Sequence, residues 1–178
     1  MRLFLSTAIF LGGLNIGMAQ QLEFNKKGVT NFQIGDSIHL IKDLKPLSVH
    51  PHKNTLRPWF EDEYKYYFLD KKVIRVAGVA IKYFFVVANQ ADKIISLIAY
   101  ANDSTETIKE KLSNIFGKPA VKSESSIEGW HSNSKTFWNT PSGIIVFFTK
   151  YPHSSLSKID ICKAEVDERM PGISVYFE

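Results

Sequence analysis

The chain has 178 residues, 44% hydrophobic and 22% charged, which suits one domain of ordinary size with a sizeable core. Lys and Arg exceed Asp and Glu by 22 to 18, but they are scattered, as at Lys26-Lys27, Lys71-Lys72, Lys109 and Lys111. With no basic stripe, a nucleic-acid interface is excluded, and the single cysteine, Cys162, excludes an intrachain disulfide.

The N-terminus reads MRLFLSTAIFLGGLNIGMAQQLEF. One cation, Arg2, precedes an apolar run from Leu3 to Ile16, and the small residues Gly17 and Ala19 follow two apart. This is the pattern of a cleavable secretory signal over residues 1–19. Gly12, Gly13 and Asn15 break the run, which is too short to span the ~30 Å of a bilayer core. No cysteine stands at the cut to carry a lipid. Removing 19 of the 178 residues leaves 159, read as a single α+β domain over 20–178; losing Arg2 takes the net charge from +4 to +3. No second apolar run of about 18 residues follows, so no transmembrane segment is expected after signal removal, and the destination is secreted or periplasmic.

The first element expected is a helix over about 36–45. Asp36 or Ser37 can cap it, Ile38, Ile41 and Leu44 recur every three residues, and Pro46 stops it. The next stretch, LSVHPHKNTLRPWFEDE, has no period, and residues 46–63 read as a long loop.

Strands follow. EYKYYFLD alternates, with Tyr64, Tyr66 and Phe68 on one side. Residues 71–102 read as two or three strands, bent near Gly78 and turned at ANQAD. Ile81, Tyr83, Phe85 and Val87 define one apolar face there, and Phe84 and Val86 a second. A strand apolar on both faces is expected in the middle of a sheet covered on both sides.

The second helix is expected over 104–116. Asp103 and Glu106 form a capping box, and Ile108, Leu112, Ile115 and Phe116 make one stripe. Gly117 and Pro119 end it. A polar loop over 120–129 then leads to WHSNSKTFWN, with Trp130 and Trp138 on one parity. IIVFFTK is apolar on both faces, SKIDICKAEV is a further strand, and ISVYFE reads as an edge strand at the C-terminus. The fold class is therefore α+β: a mainly antiparallel, curved sheet of about six to eight strands packed by two helices.

Chemistry is sparse. His50 and His52 flank Pro51; in extended chain they share a side and can share a metal, but no third ligand stands at a telling spacing. Two loop histidines with nothing bound is the simpler reading, so no metal or other cofactor is expected. Glu61, Asp62 and Glu63 could supply a carboxylate pair, but solvated charges ahead of a strand explain them equally. Cys162 ends an alternating run and reads as a half-buried structural thiol; nothing places it near His131 or His153. There is no nucleophile elbow, phosphate loop or dinucleotide fingerprint.

Aromatic residues are plentiful. Trp59, Phe60, Tyr64, Tyr66, Tyr67, Trp130, Phe137 and Trp138 suit core packing, or recognition of a sugar face or a protein. Trp59, in a Pro-rich polar stretch, is the best placed for recognition. The composition and pattern point to an exported, non-catalytic binding or interaction domain. Trp59, Tyr64, Tyr66, Trp130 and Trp138 are its candidate contact residues, on a concave face rimmed by Trp59 and Trp130. Its partner would be a protein or a small apolar ligand, and the chain a monomer or weak homodimer. The alternatives are a carrier of a small apolar ligand and a metal-dependent hydrolase using His50 and His52.

Overall fold

The computed structural model describes residues 20–70, 74–102, 105–123, 134–150, 155–163 and 173–175. The expected signal, Trp130, the capping Asp103, and His131 and His153 all lie outside them.

In chain order the strands are β1 (Gln20–Leu22), β2 (Phe24–Asn25), β3 (Gly28–Val29), β4 (Phe32–Gln33), β5 (Leu44–Pro46), β6 (Leu56–Pro58), β7 (Lys65–Leu69) and β8 (Ile74–Val76). There follow β9 (Val79–Ala88), β10 (Ile94–Ala101), the helix α1 (Thr105–Phe116), β11 (Ala120–Ser123), β12 (Ser134–Asn139), β13 (Ile144–Lys150), β14 (Ser157–Lys163) and β15 (Ile173–Val175). Ten strands form one open sheet, with eight on the path β1-β8-β9-β10-β14-β13-β12-β11. β7 pairs with the second half of β9 beside β8, and β5 pairs with β7. Every pairing is antiparallel except β1 with β8. No helix among the described residues is long and apolar enough to cross a membrane.

One face of the sheet meets α1 and the small β2-β3-β4 meander. Ile108 and Leu112 of α1 are buried, and Ile115 and Phe116 pack at the margin of the same core with Phe84, Val86, Leu97, Val146, Phe148 and Ile159. The stripe read from the sequence thus faces the core. Gly117, at φ 87°, ends the helix by donating its N–H to Ser113 O at 2.9 Å. The meander seats closely: a Cβ on Gly28 would lie 2.4 Å from Phe32 O and 3.2 Å from Leu97 Cδ1.

α1 is the only α-helix among the described residues, and the helix expected over 36–45 is absent. A single 3₁₀ turn, Ile38–Leu40, stands there, followed by β5. Ser37 makes no side-chain cap. Its stretch instead bonds to the β9–β10 turn: Ile38 N–H donates to Asp92 O, Gly35 N–H to Ile94 O, and Ile94 N–H to Asp36 O. Backbone groups committed to a neighbouring turn cannot close helical bonds.

Three further expectations change. Ala120–Ser123, read as the start of a polar loop, pairs with β12 as the outer strand β11. The C-terminal strand β15 is an edge, but of a separate two-stranded ribbon with β6 and not of the main sheet. Ile81 does not share a face with Tyr83, Phe85 and Val87: the register steps from Tyr100↔Tyr83 to Ala101↔Ile81, leaving Lys82 as a bulge. One extra residue flips the alternation, so Ile81 joins Phe84 and Val86 on the helix face.

The opposite face carries Phe85, Val87, Ile98 and Tyr100 from the central strands and Tyr66 and Phe68 from β7. Leu47, Leu56, Leu156 and Ile173 cover them. Half of this cover, Leu47 and Leu56, comes from residues 46–63, which hold two 3₁₀ turns (Leu47–Val49 and Lys53–Thr55) and β6 rather than unbroken loop.

Candidate functional site

Between this covering segment and β7 lies a cleft of about 390 Å³. Pro46, Leu47, Ser48, Lys53, Leu56 and Pro58 form one wall, and Tyr64, Lys65, Tyr66 and Tyr67 the other, with Glu61 between them. Pro46 and Pro58 interrupt donor positions at the strand ends, so the chain crosses the sheet here instead of extending it.

The rim is the exposed turn that follows β6. Trp59 is 44% and Phe60 40% exposed, two of only four large hydrophobic side chains so exposed among the described residues. The others are Val49, on the same covering segment, and Leu40, at 79%. Phe60 sits at φ 56°, the left-handed region that a bulky side chain rarely enters and that costs about 1–3 kcal/mol. Its carbonyl accepts from the N–H groups of Glu63 and Tyr64, both at 3.0 Å, which sets the turn. Tyr66 O–H donates to Trp59 O from beneath. The Lys158 ammonium lies 5.5 Å from the centre of the Trp59 ring, within cation–π range, while ion-paired to Asp160 at 3.0 Å. Both residues of that pair are buried. Trp59 and Phe60 are thus outward-facing on an anchored backbone, and the Trp59 ring is held as well.

The β7 side of the cleft is tied to the β9–β10 turn. Lys65 Nζ donates to Asp92 Oδ1 at 2.7 Å, and His39 Nε2 meets Asp92 Oδ2 at 3.0 Å. The Lys65 bond, seconded by His39, holds the Asp92 carboxyl below the usual carboxylate range.

The candidate contact residues separate. Trp59 is on the rim and Tyr64 lines the cleft, half-buried. Tyr66 also lines it but is 7% exposed, and its hydroxyl holds the rim. Trp138 is 1% exposed in the core on the helix face, so it offers no contact surface. Alternation decides this, since β12 turns Trp138 toward the same core as Val146. The pairing of Trp59 with Trp130 as rim residues falls outside the described residues. Reading the sequence missed Lys158: a cation in an alternating run signals solvent, and only tertiary structure sets Trp59 over it.

The ring centres of His50 and His52 lie 5.7 Å apart, and His50 Nδ1 already accepts the His52 backbone N–H at 3.0 Å. His50 packs instead against Phe68, ring centres 4.5 Å apart at 80°, and near Tyr83 and Phe85. No cluster of three or more His, Cys, Asp or Glu side chains among the described residues could hold a metal ion. Among the described residues Glu61 is the single carboxylate lining the cleft, and hydrolysis by a carboxylate pair needs two. Cys162 is buried, and burial pushes its thiol up to about 12, leaving no thiolate for nucleophilic chemistry near neutral pH.

No protein-family model matches the chain, and neither does any curated protein or solved structure.

Proposed function

We propose that this chain is an exported, non-catalytic binding domain whose site is the cleft over β7 and its Trp59–Phe60 rim. Export rests on the signal-like pattern of residues 1–19. The observation that carries the binding reading is the rim itself: two adjacent aromatic rings kept toward solvent, one on a strained backbone, with the carbonyl between them bonded from the core. A turn with no ligand to meet would relieve that strain by placing Gly or Asn at position 60 and would bury its rings. Anchored aromatic residues bring contact area at small entropic cost, as a site for a protein segment or a glycan requires.

A surface site is favoured over an enclosed carrier cavity. Leu47, Leu56, Leu156 and Ile173 pack against the central strands, and the cleft is confined to the β7 margin of this cover.

The test is a paired glycan and peptide array probed with the wild type, the Trp59→Ala/Phe60→Ala double variant and Leu40→Ala. Ligands lost by the double variant and kept by Leu40→Ala support the reading. Ligands bound equally by all three would place recognition elsewhere and overturn it.

A further inference from the structure

We propose that His50 is a proton-operated latch on the wall of this cleft: protonating its imidazole removes the acceptor that holds His52 and frees residues 47–56 from the sheet. The latch is a property of the unliganded chain, and its role in controlling a ligand rests on the binding reading above.

The chemistry follows from one hydrogen bond. A neutral imidazole whose Nδ1 accepts the His52 N–H carries its own proton on Nε2. The imidazolium carries protons on both nitrogens, so Nδ1 would turn a donor toward a donor. The charge would also sit on a half-buried ring packed against Phe68 and near Tyr83 and Phe85, which takes part of its water away. Burial, and next the nearby His52, hold the His50 imidazole below its ordinary value of 6.5, with Asp70 pulling the other way.

Among the described residues, the charged and titratable groups near His50 do little to hold its cation. The second 3₁₀ turn and its approach contribute His52 and Lys53. β5 and the end of β7 contribute Lys45 and Asp70, already ion-paired with one another. β9 contributes the neutral Tyr83, with the Lys82 ammonium 5.3 Å from its ring centre. Asp70 is the one acid in this set, and Lys45 shares it.

The segment is built to respond. The first 3₁₀ turn closes on one backbone bond, His50 N–H to Leu47 O, and the second on two, Thr55 N–H to His52 O and Leu56 N–H to Lys53 O, while Lys53 N–H to His50 O joins them across the histidines. Leu47, Ser48, Lys53 and Leu56, which bracket the two histidines, are cleft wall. A small change at His50 is therefore a change in the cleft.

Amide exchange of the full chain without ligand tests this, corrected for the intrinsic rate, from about pH 7.5 down to about pH 5 across the ordinary histidine range. The expected result is a several-fold loss of protection over residues 47–56 in the wild type, with the midpoint of the His50 ring titration seen by NMR. The strand β10 stays protected. His50→Gln, whose amide oxygen can still accept the His52 N–H but does not titrate here, keeps its protection. Flat wild-type protection, or an equal loss in His50→Gln, overturns the latch. Should His50→Gln fail to fold, the wild-type midpoints decide: coincidence supports the latch, and opening at a pH separate from the ring titration overturns it. No ligand enters, so failure here leaves the array result standing, and failure of the array leaves this one standing.

Discussion

The sheet face that meets α1 and the face that meets residues 46–63 bury similar side chains by different means. α1 satisfies its own backbone and presents Ile108 and Leu112 at regular spacing. The covering segment has two short 3₁₀ turns and depends on β5 with β7 and β6 with β15 for the rest of its pairing. A cover with few bonds of its own opens at lower free energy than a helix packed on a core. Exposed aromatic rings and the cleft occur on that looser side, and binding surfaces are commonly carried by segments that a rigid scaffold positions.

Substitutions can break or sharpen this contrast. The largest effect belongs to the helix face: Leu112→Ala, at 0% exposure, should cost about 2–5 kcal/mol in urea unfolding. Leu47→Ala, equally apolar and 5% exposed, should fall near or below about 2 kcal/mol, because an irregular segment can collapse onto the space left. Equal costs at the two sites would show that both covers are equally rigid. Trp59→Ala should cost about 1 kcal/mol, from losing the ring over Lys158, and should unpack nothing on the helix face. Near-UV circular dichroism of the remaining tryptophans would check the second part.

A gain is expected at the β8–β9 turn. Ala77 and Gly78 both have positive φ, 50° and 78°, the requirement of a tight two-residue hairpin turn that favours Asn-Gly. Ala77→Asn should stabilise by roughly 0.5–1 kcal/mol by easing the left-handed backbone, with the bond from Lys111 Nζ to Ala77 O kept. Smallest of all, Glu110→Ala on the solvent side of α1 should change stability by about 0.5 kcal/mol or less. Lys109 is a poorer control than its sequence position suggests, since its ammonium reaches Glu106 at 3.8 Å and the Phe148 ring centre at 6.0 Å.

The same contrast has a sign in pH. His50 titrates below its unfolded value of 6.5 in the folded chain, so the unfolded state binds its proton first. Its contribution is complete above about pH 6.5 and is lost as pH falls through the folded value. Wild-type urea midpoints should therefore drop more on acidification than those of His50→Gln. The reverse order would contradict the burial of His50 against Phe68.

Much of the helix side could be read in advance. Periodicity placed the α1 stripe, and alternation placed the central strands. Alternation failed where a bulge intervened, as at Lys82, and where one polar loop was long enough to donate a strand, as at Ala120–Ser123. Of the candidate site, Trp59 and Tyr64 were legible because aromatic residues in polar, Pro-rich chain have no obvious core to join. Tyr66 and Trp138 were not separable from them, because burial depends on which parity faces the deeper layer.

By itself, the sequence determined the elements whose apolar residues repeat: the strands β9, β10, β13 and β14 and the helix α1. It also determined the want of a disulfide, since one cysteine cannot form one within the chain. Tertiary structure decided the rest. It replaced the helix expected over 36–45 with a turn, because the backbone there pairs with residues 92 and 94. It laid residues 46–63 over the second face and set Trp59 on a buried ion pair. Those outcomes depend on contacts between residues tens of positions apart, and local spacing carries no record of them.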